Sequence, residues 1–280
     1  MGICDWDQED IDRLDEGLKL LGWRSDGRLT SDDGLMLSAI AEEAIRMKSN
    51  GLLSPTEIDK LAIKAFDIIE FQLMNVDERS MQVSSAYSDS EHLRSLVPLI
   101  EQTLFCYYRG YFTASLAVLF IVLENYLRSL DGWEPGDRDP TFAELRNAIL
   151  NLPESESRDD AQRIINIVYS RYDAGNPPQF YFNRHGLLHG LREGFSIDRL
   201  NCVRMYVLLD ALSAAEGYGG GGIITDLFNS QREAYLECKN YERERSLLYP
   251  NIEPNKTNSA DTELTQRKWT PKHNEREVFS

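Results

Sequence analysis

The sequence has few cysteines, and they are widely spaced. The four, Cys4, Cys106, Cys202 and Cys238, form no pair with the short spacing of a zinc site and no disulfide-like framework. This usage fits a reducing compartment and argues against a bound metal. We therefore predict no metal ion and no cofactor, and we place Cys106 and Cys202 in the core of apolar helices.

Long hydrophobic runs are also lacking. The longest, Ala114–Leu123, is shorter than the about 20 residues of a membrane-spanning helix, and it is followed directly by Glu124. The opening stretch, MGICDWDQED, has neither the basic nor the apolar region of a signal peptide. We expect no membrane association, a cytoplasmic location, and a buried helix around Ala114–Leu123.

Positive charge is scarce, since 30 Lys and Arg against 46 Asp and Glu give a net charge of −16. Half of this excess lies in residues 1–75, which carry 16 acidic and 8 basic residues. The balance opposes a general nucleic-acid coat, because the phosphate backbone attracts basic proteins. Residues 180–204 differ, with four arginines against one Glu and one Asp. A local basic spot of this kind suits a site for one phosphate.

What the sequence does contain is helical periodicity along most of its length. No strand pattern competes with it, so we predict an all-α helical bundle. Residues 1–75 form an additional N-terminal segment of acidic helices, and the polar residues 76–90, which lose the periodicity, are predicted to be a linker. Residues 91–248 form the main helical domain. The polar residues 249–280 are predicted to be a mobile tail.

Signals for helix starts are clear at several points. Ser54 and Pro55 predict the N-cap and first position of the third helix, and Thr141 with Glu144 predicts a capping box. Pro98 is expected either in a first turn or at a kink. The first predicted helix places its apolar residues on one stripe: Ile11, Leu14, Leu18 and Leu21.

The stretch FYFNRHGLLHG, residues 180–190, brings an arginine and two histidines together after a proline loop. Asn183 is a credible N-cap, which places Arg184, His185 and His189 in the first turns of a helix, where backbone N–H groups attract anions. RNA cleavage requires two proton transfers and stabilisation of charge on the phosphate. Histidine titrates near neutrality and arginine forks onto phosphate oxygens, so the stretch is a candidate phosphodiester site.

Geometry limits what one copy of this stretch can do. His185 and His189 share a helical face, whereas Arg184 and His189 diverge by about 140° on a regular helix. Two copies related by a symmetry axis would place two arginines and up to four histidines in one cleft. The chemistry therefore favours a homodimer with its active site at the interface.

The pattern RHGLLH, opening a helix late in an all-α bundle, resembles the HEPN superfamily, and FNRHGLLHG resembles its bacterial members in particular. The resemblance covers roughly residues 88–248. It implies a metal-independent endoribonuclease that acts on RNA as a dimer, in toxin–antitoxin or anti-phage defence, with an antitoxin or regulatory protein as a possible partner.

By the same resemblance Arg184 would stabilise the phosphate, His189 would be the acid and base, and His185 would support them. Glu124, at the end of the buried apolar helix, resembles an acidic residue that some members bring near the motif. Members silenced by nucleotidyl transfer carry a tyrosine two residues after the histidine, where this chain has Leu191. We therefore do not expect that form of regulation.

Simpler interpretations stand beside these. His189 alone could be a buried or capping histidine, Asn183 a cap only, and Glu124 an ion-pair partner of Arg128 one turn along the helix. The alternative function is a non-catalytic HEPN-like module that binds nucleotide, RNA or a partner protein.

Overall fold

The computed structural model describes residues 7–24, 31–134, 136–169, 184, 198–217 and 225–248. These ranges are mostly helical and contain no strand, which confirms the all-α prediction. The α-helices are α1 (Gln8–Leu20), α2 (Ser31–Ser49), α3 (Pro55–Leu73), α4 (Val76–Gln82), α5 (Val97–Tyr108), α6 (Phe112–Leu130), α7 (Phe142–Ala148), α8 (Glu156–Val168), α9 (Asp198–Ala215) and α10 (Thr225–Leu248). A π-helical turn, Val83–Tyr87, follows α4, and short 3₁₀ turns cover Arg94–Leu96 and Ile149–Asn151.

Helices α6 and α9 form the centre of the bundle. In the described part of the chain, α6 alone is long and apolar enough to cross a membrane by length and composition. Its apolar side chains, from Leu116 to Leu127, are largely buried against neighbouring helices, as expected for a core helix. On α9 the side chains are buried almost all round, including the thiol of Cys202. Cys106 on α5 is only partly buried.

Local signals predicted several helix starts correctly. The Ser54 hydroxyl accepts a hydrogen bond from the Glu57 amide, and Pro55 opens α3. Thr141 and Glu144 form the complete capping box of α7. Pro98 lies in the first turn of α5, where its missing N–H costs nothing, so it causes no kink.

The prediction of a linker at residues 76–90 is wrong. Most of this stretch is α4 and the π-helical turn, and it is packed into the core. Several of its polar side chains are buried and paired: the Arg79 guanidinium donates two hydrogen bonds to the Asp210 carboxylate on α9, at 3.1 and 2.8 Å. The Tyr87 hydroxyl donates to the same carboxylate. A polar composition therefore marks a buried ion-pair network here.

The N-terminal helices pack onto the rest of the bundle without a break in the core, because their apolar residues join the same cluster as those of α5 to α9. Gly17 on α1 touches α2 so closely that any side-chain carbon would collide with Ala41. Arg163 on α8 donates to the Lys19 carbonyl at 2.8 Å. Of the predicted α1 stripe, Leu14, Leu18 and Leu21 are buried, whereas Ile11 is exposed.

Candidate anion site around Arg184

Arg184 lies beside the polar end of α6. Its Nη2 atom is 2.5 Å from the Glu124 Oε2 atom, and both side chains are mostly buried, with 23% and 18% of their surfaces exposed. Glu124 is positioned by the central helix α6, whose apolar residues fix its rotation about the helix axis. The tertiary structure therefore brings together two of the predicted site residues that are far apart in sequence.

Glu124 also binds a second arginine on its own helix. The Arg128 Nη2 atom lies 3.0 Å from Glu124 Oε1 and 3.1 Å from Asp139 Oδ1 in the loop after α6. The ion pair with Arg128 that helical spacing predicts is thus present together with the contact to Arg184. The two guanidinium groups are thus matched by two carboxylates, of which Glu124 is mostly buried and Asp139 is 91% exposed.

Two aromatic rings close the other side of the cluster. The capping box of α7 places Phe142 at the start of that helix, and the Arg184 guanidinium lies 5.9 Å from the centre of its ring. Tyr169, the C-cap of α8, packs against Phe142 with 5.7 Å between ring centres. The Phe142 ring thus covers one face of the Arg184 guanidinium, and Tyr169 supports that ring from the other side of the contact.

Two polar atoms in this cluster are buried without a hydrogen-bond partner among the described residues: Arg184 Nε and the Tyr169 hydroxyl oxygen. Burial, reinforced by the nearby Glu124 charge, raises the pKa of Tyr169, although Arg184 and Arg128 act in the opposite direction. The phenol therefore stays protonated at neutral pH and can act as a donor. An unpaired buried donor costs about 1–3 kcal/mol, so these two groups lower the stability of this part of the fold.

The remaining predicted site residues, Asn183, His185 and His189, lie outside the described residues, as do the tail at 249–280 and Leu191. Tyr169 and Phe142 are additions that the sequence analysis missed. A tyrosine that ends an amphipathic helix shortly before the arginine was the available signal for Tyr169. Among the described residues no group of three or more His, Cys, Asp or Glu side chains has the arrangement of a metal site.

Comparison of the chain with family models, with curated proteins and with solved structures finds no match in any of the three.

Proposed function

We propose that the chain is a metal-independent endoribonuclease of HEPN type, and that it acts as a toxin or effector in a bacterial toxin–antitoxin or anti-phage defence system. The observation that carries the proposal is the contact between Arg184 and Glu124 at 2.5 Å, beside Arg128. An arginine held by a carboxylate on a rigid core helix is oriented before substrate arrives, which is what phosphate recognition requires.

In the proposed reaction the ribose 2′-oxygen attacks the adjacent phosphorus, and the bond from phosphorus to the 5′-oxygen breaks. His189 accepts the 2′-hydroxyl proton. A second histidine, which is His185 or His189 of the partner subunit, donates a proton to the departing 5′-oxygen. Arg184 stabilises the negative charge on the phosphate oxygens, with Glu124 positioning it. The products are a 2′,3′-cyclic phosphate and a free 5′-hydroxyl.

The proposal includes a homodimer, because a single Arg/His set offers one arginine and diverging side chains. Only two arginines, Arg184 and Arg128, lie together here, which fits one scissile phosphate on a chain whose net charge is −16. A partner such as an antitoxin would then restrain the activity.

The test is cleavage of an end-labelled single-stranded RNA of mixed sequence by the purified full-length protein. Arg184→Ala and His189→Ala are each expected to lower cleavage by about 10²-fold or more, since each removes charge stabilisation or proton transfer. Cleavage should persist in a metal chelator, and the fragments should end in cyclic phosphate.

Two matched variants control for general effects. Arg46→Ala removes an exposed arginine that is likewise paired with a glutamate, Glu43, at 2.5 Å, and His273→Ala removes a histidine outside the motif. Both should cleave like the wild type. Equal cleavage by the wild type, Arg184→Ala and His189→Ala would overturn the proposal, as would a chelator-sensitive reaction.

A second candidate is a non-catalytic module that binds RNA or a partner. It is favoured by the same short contact, because Glu124 already neutralises part of the Arg184 charge, as in a purely structural ion pair. Tight binding of the labelled RNA by a folded dimer, without any cleavage, would support this candidate over the nuclease.

A further inference from the structure

A separate cavity of about 430 Å³ lies near the start of α6, bounded by α3, the turn between α5 and α6, the first residues of α9, and α10. Its volume is within the range of small-molecule sites. Phe112 lines it, and twelve residues of α6 separate Phe112 from Glu124. At the helical rise this is about 18 Å, so the cavity is distinct from the Arg184 cluster.

The inner wall of the cavity is a saturated ion pair. Glu70 on α3 accepts hydrogen bonds from Arg199 Nε and Nη2, at 2.6 Å each, and from the Tyr107 hydroxyl. Burial and the neighbouring Glu70 charge raise the pKa of Tyr107, so this hydroxyl remains a donor. The charges of Glu70 and Arg199 therefore cancel, and the Glu70 oxygens have little capacity left for a ligand.

Arg199 is nonetheless fixed in place. Its guanidinium lies between the rings of Phe66 and Phe112, 5.6 and 5.7 Å from their centres. Its Nε and Nη2 atoms are bound to Glu70, and 41% of the side chain is exposed. The cavity thus contains one oriented guanidinium group, part of whose surface a ligand can reach.

The other charged groups lie on facing helices. Asp67 on α3 and Lys239 on α10 both line the cavity and are exposed, and neither forms an ion pair within the described ranges. The α3 wall therefore offers a carboxylate, and the α9 and α10 walls offer the donors of Arg199 and Lys239. These charges balance, which disfavours a simple anion or a simple cation and favours a ligand that carries both charges.

The cavity also has an apolar surface. Phe71, one residue after Glu70, exposes 72% of its surface and lines the cavity together with Met74. The Phe71 ring provides a flat surface against which a ring or aliphatic chain of a ligand would pack.

We propose that this cavity binds a free α-amino acid with an aromatic or large aliphatic side chain. Its carboxylate would contact Lys239 and the Arg199 guanidinium, its ammonium group would contact Asp67, and its side chain would pack on Phe71. This binding is independent of the proposed nuclease activity, and its test does not use RNA.

The test is calorimetric titration of the full-length protein with phenylalanine, leucine and tryptophan. Two analogues of phenylalanine distinguish the contributions of its two charged groups to binding: phenylalaninamide lacks the carboxylate, and 3-phenylpropionate lacks the ammonium group. Both analogues and glycine, which has no side chain to pack, are expected to bind at least about tenfold more weakly than phenylalanine.

Variants assign each contact. Lys239→Gln should weaken phenylalanine binding about tenfold and leave the affinity for phenylalaninamide unchanged. Asp67→Asn should weaken phenylalanine binding and leave the affinity for 3-phenylpropionate unchanged. Phe71→Ala should weaken the binding of phenylalanine, leucine and tryptophan. Lys64→Gln, an exposed change on α3 outside the cavity, is the matched control and should bind like the wild type.

Absence of binding by all three amino acids at millimolar concentration would overturn the proposal. Binding that neither Lys239→Gln nor Asp67→Asn alters would also overturn it, because the amino acid would then occupy another surface.

Discussion

The carboxylate of Glu124 is 2.5 Å from the guanidinium of Arg184 and 3.0 Å from that of Arg128, so one acidic side chain on the central helix joins two basic ones. Neither arginine is fully exposed, and the exposed surface of Glu124 is only 18%. The contact fixes the position of Arg184 relative to the bundle core. It also makes Glu124 the residue on which the geometry of the candidate site depends.

Replacing Glu124 should destabilise the protein. Glu124→Gln keeps the shape but removes the carboxylate between the two arginines, so that Arg184 loses its counter-charge and Arg128 keeps only the exposed Asp139. We expect the free energy of unfolding to fall by about 1–2 kcal/mol, between the values for exposed and buried pairs. Urea denaturation followed by circular dichroism measures it. Glu43→Gln, whose partner Arg46 is 67% exposed, should change it by less than about 0.5 kcal/mol; equal effects would mean that Glu124 forms only a surface pair.

Two buried tyrosines should respond to loss of their hydroxyl groups in opposite directions. The Tyr169 hydroxyl has no hydrogen-bond partner in the part of the chain that the structure describes, whereas the Tyr126 hydroxyl donates to Glu216 Oε1 at 2.8 Å. Tyr169→Phe should therefore stabilise the protein by up to about 1 kcal/mol, and Tyr126→Phe should destabilise it by about 1–2 kcal/mol. Thermal unfolding of both variants checks this. A loss of stability in Tyr169→Phe would show that its hydroxyl is paired.

The buried network around Asp210 should be among the most sensitive points of the fold. Asp210→Asn leaves the Arg79 guanidinium, almost wholly buried, without a counter-charge, and should lower the free energy of unfolding by about 3–5 kcal/mol. The double variant Arg79→Met with Asp210→Asn should lower the free energy of unfolding by less than Asp210→Asn alone, because no unpaired charge is then buried. Urea denaturation of the three proteins tests this order, and a reversed order would contradict the assignment.

The cap of α7 should be sensitive to acid. Hydrogen bonds from Arg138 and from the Thr141 backbone lower the pKa of Glu144 from 4.5 to about 2. A carboxylate with a depressed pKa stabilises the folded state above its ordinary pKa, and this contribution is lost as the pH falls from about 4.5 towards 2.

The difference in melting temperature between the wild type and Glu144→Gln should therefore shrink between pH 6 and pH 3. Glu237→Gln, on the exposed surface of α10, should show a small difference at both pH values. A wild-type advantage over Glu144→Gln that stays constant down to pH 3 would exclude the proposed acid sensitivity.

Predictions from the sequence succeeded where the cause is local. The all-α class follows from apolar residues at helical spacing, and the caps at Ser54 and Thr141 depend on groups within one turn of the chain. Such interactions are complete before any two helices meet, so the sequence contains all the information needed to recognise them.

Predictions failed where a polar residue has a distant partner. Residues 76–90 have the composition of a linker, yet Arg79 and Tyr87 are buried because Asp210, on another helix, satisfies them. Conversely, Ile11 lies on the apolar stripe of α1 but is 39% exposed, which the periodicity of a single helix does not reveal. A polar composition therefore does not by itself indicate exposure to solvent, because a polar side chain can be buried when a residue far along the chain supplies its hydrogen-bond partner.

The sequence by itself determined most of the helical segments, where several of them begin, and that an arginine and two histidines adjoin near residue 184. Only the tertiary structure decided that Glu124, Arg128, Phe142 and Tyr169 surround that arginine, and that a balanced, partly aromatic cavity forms near the other end of α6. Helix formation is governed by neighbours along the chain, whereas a site depends on how helices pack against one another, and that packing is set by the whole core.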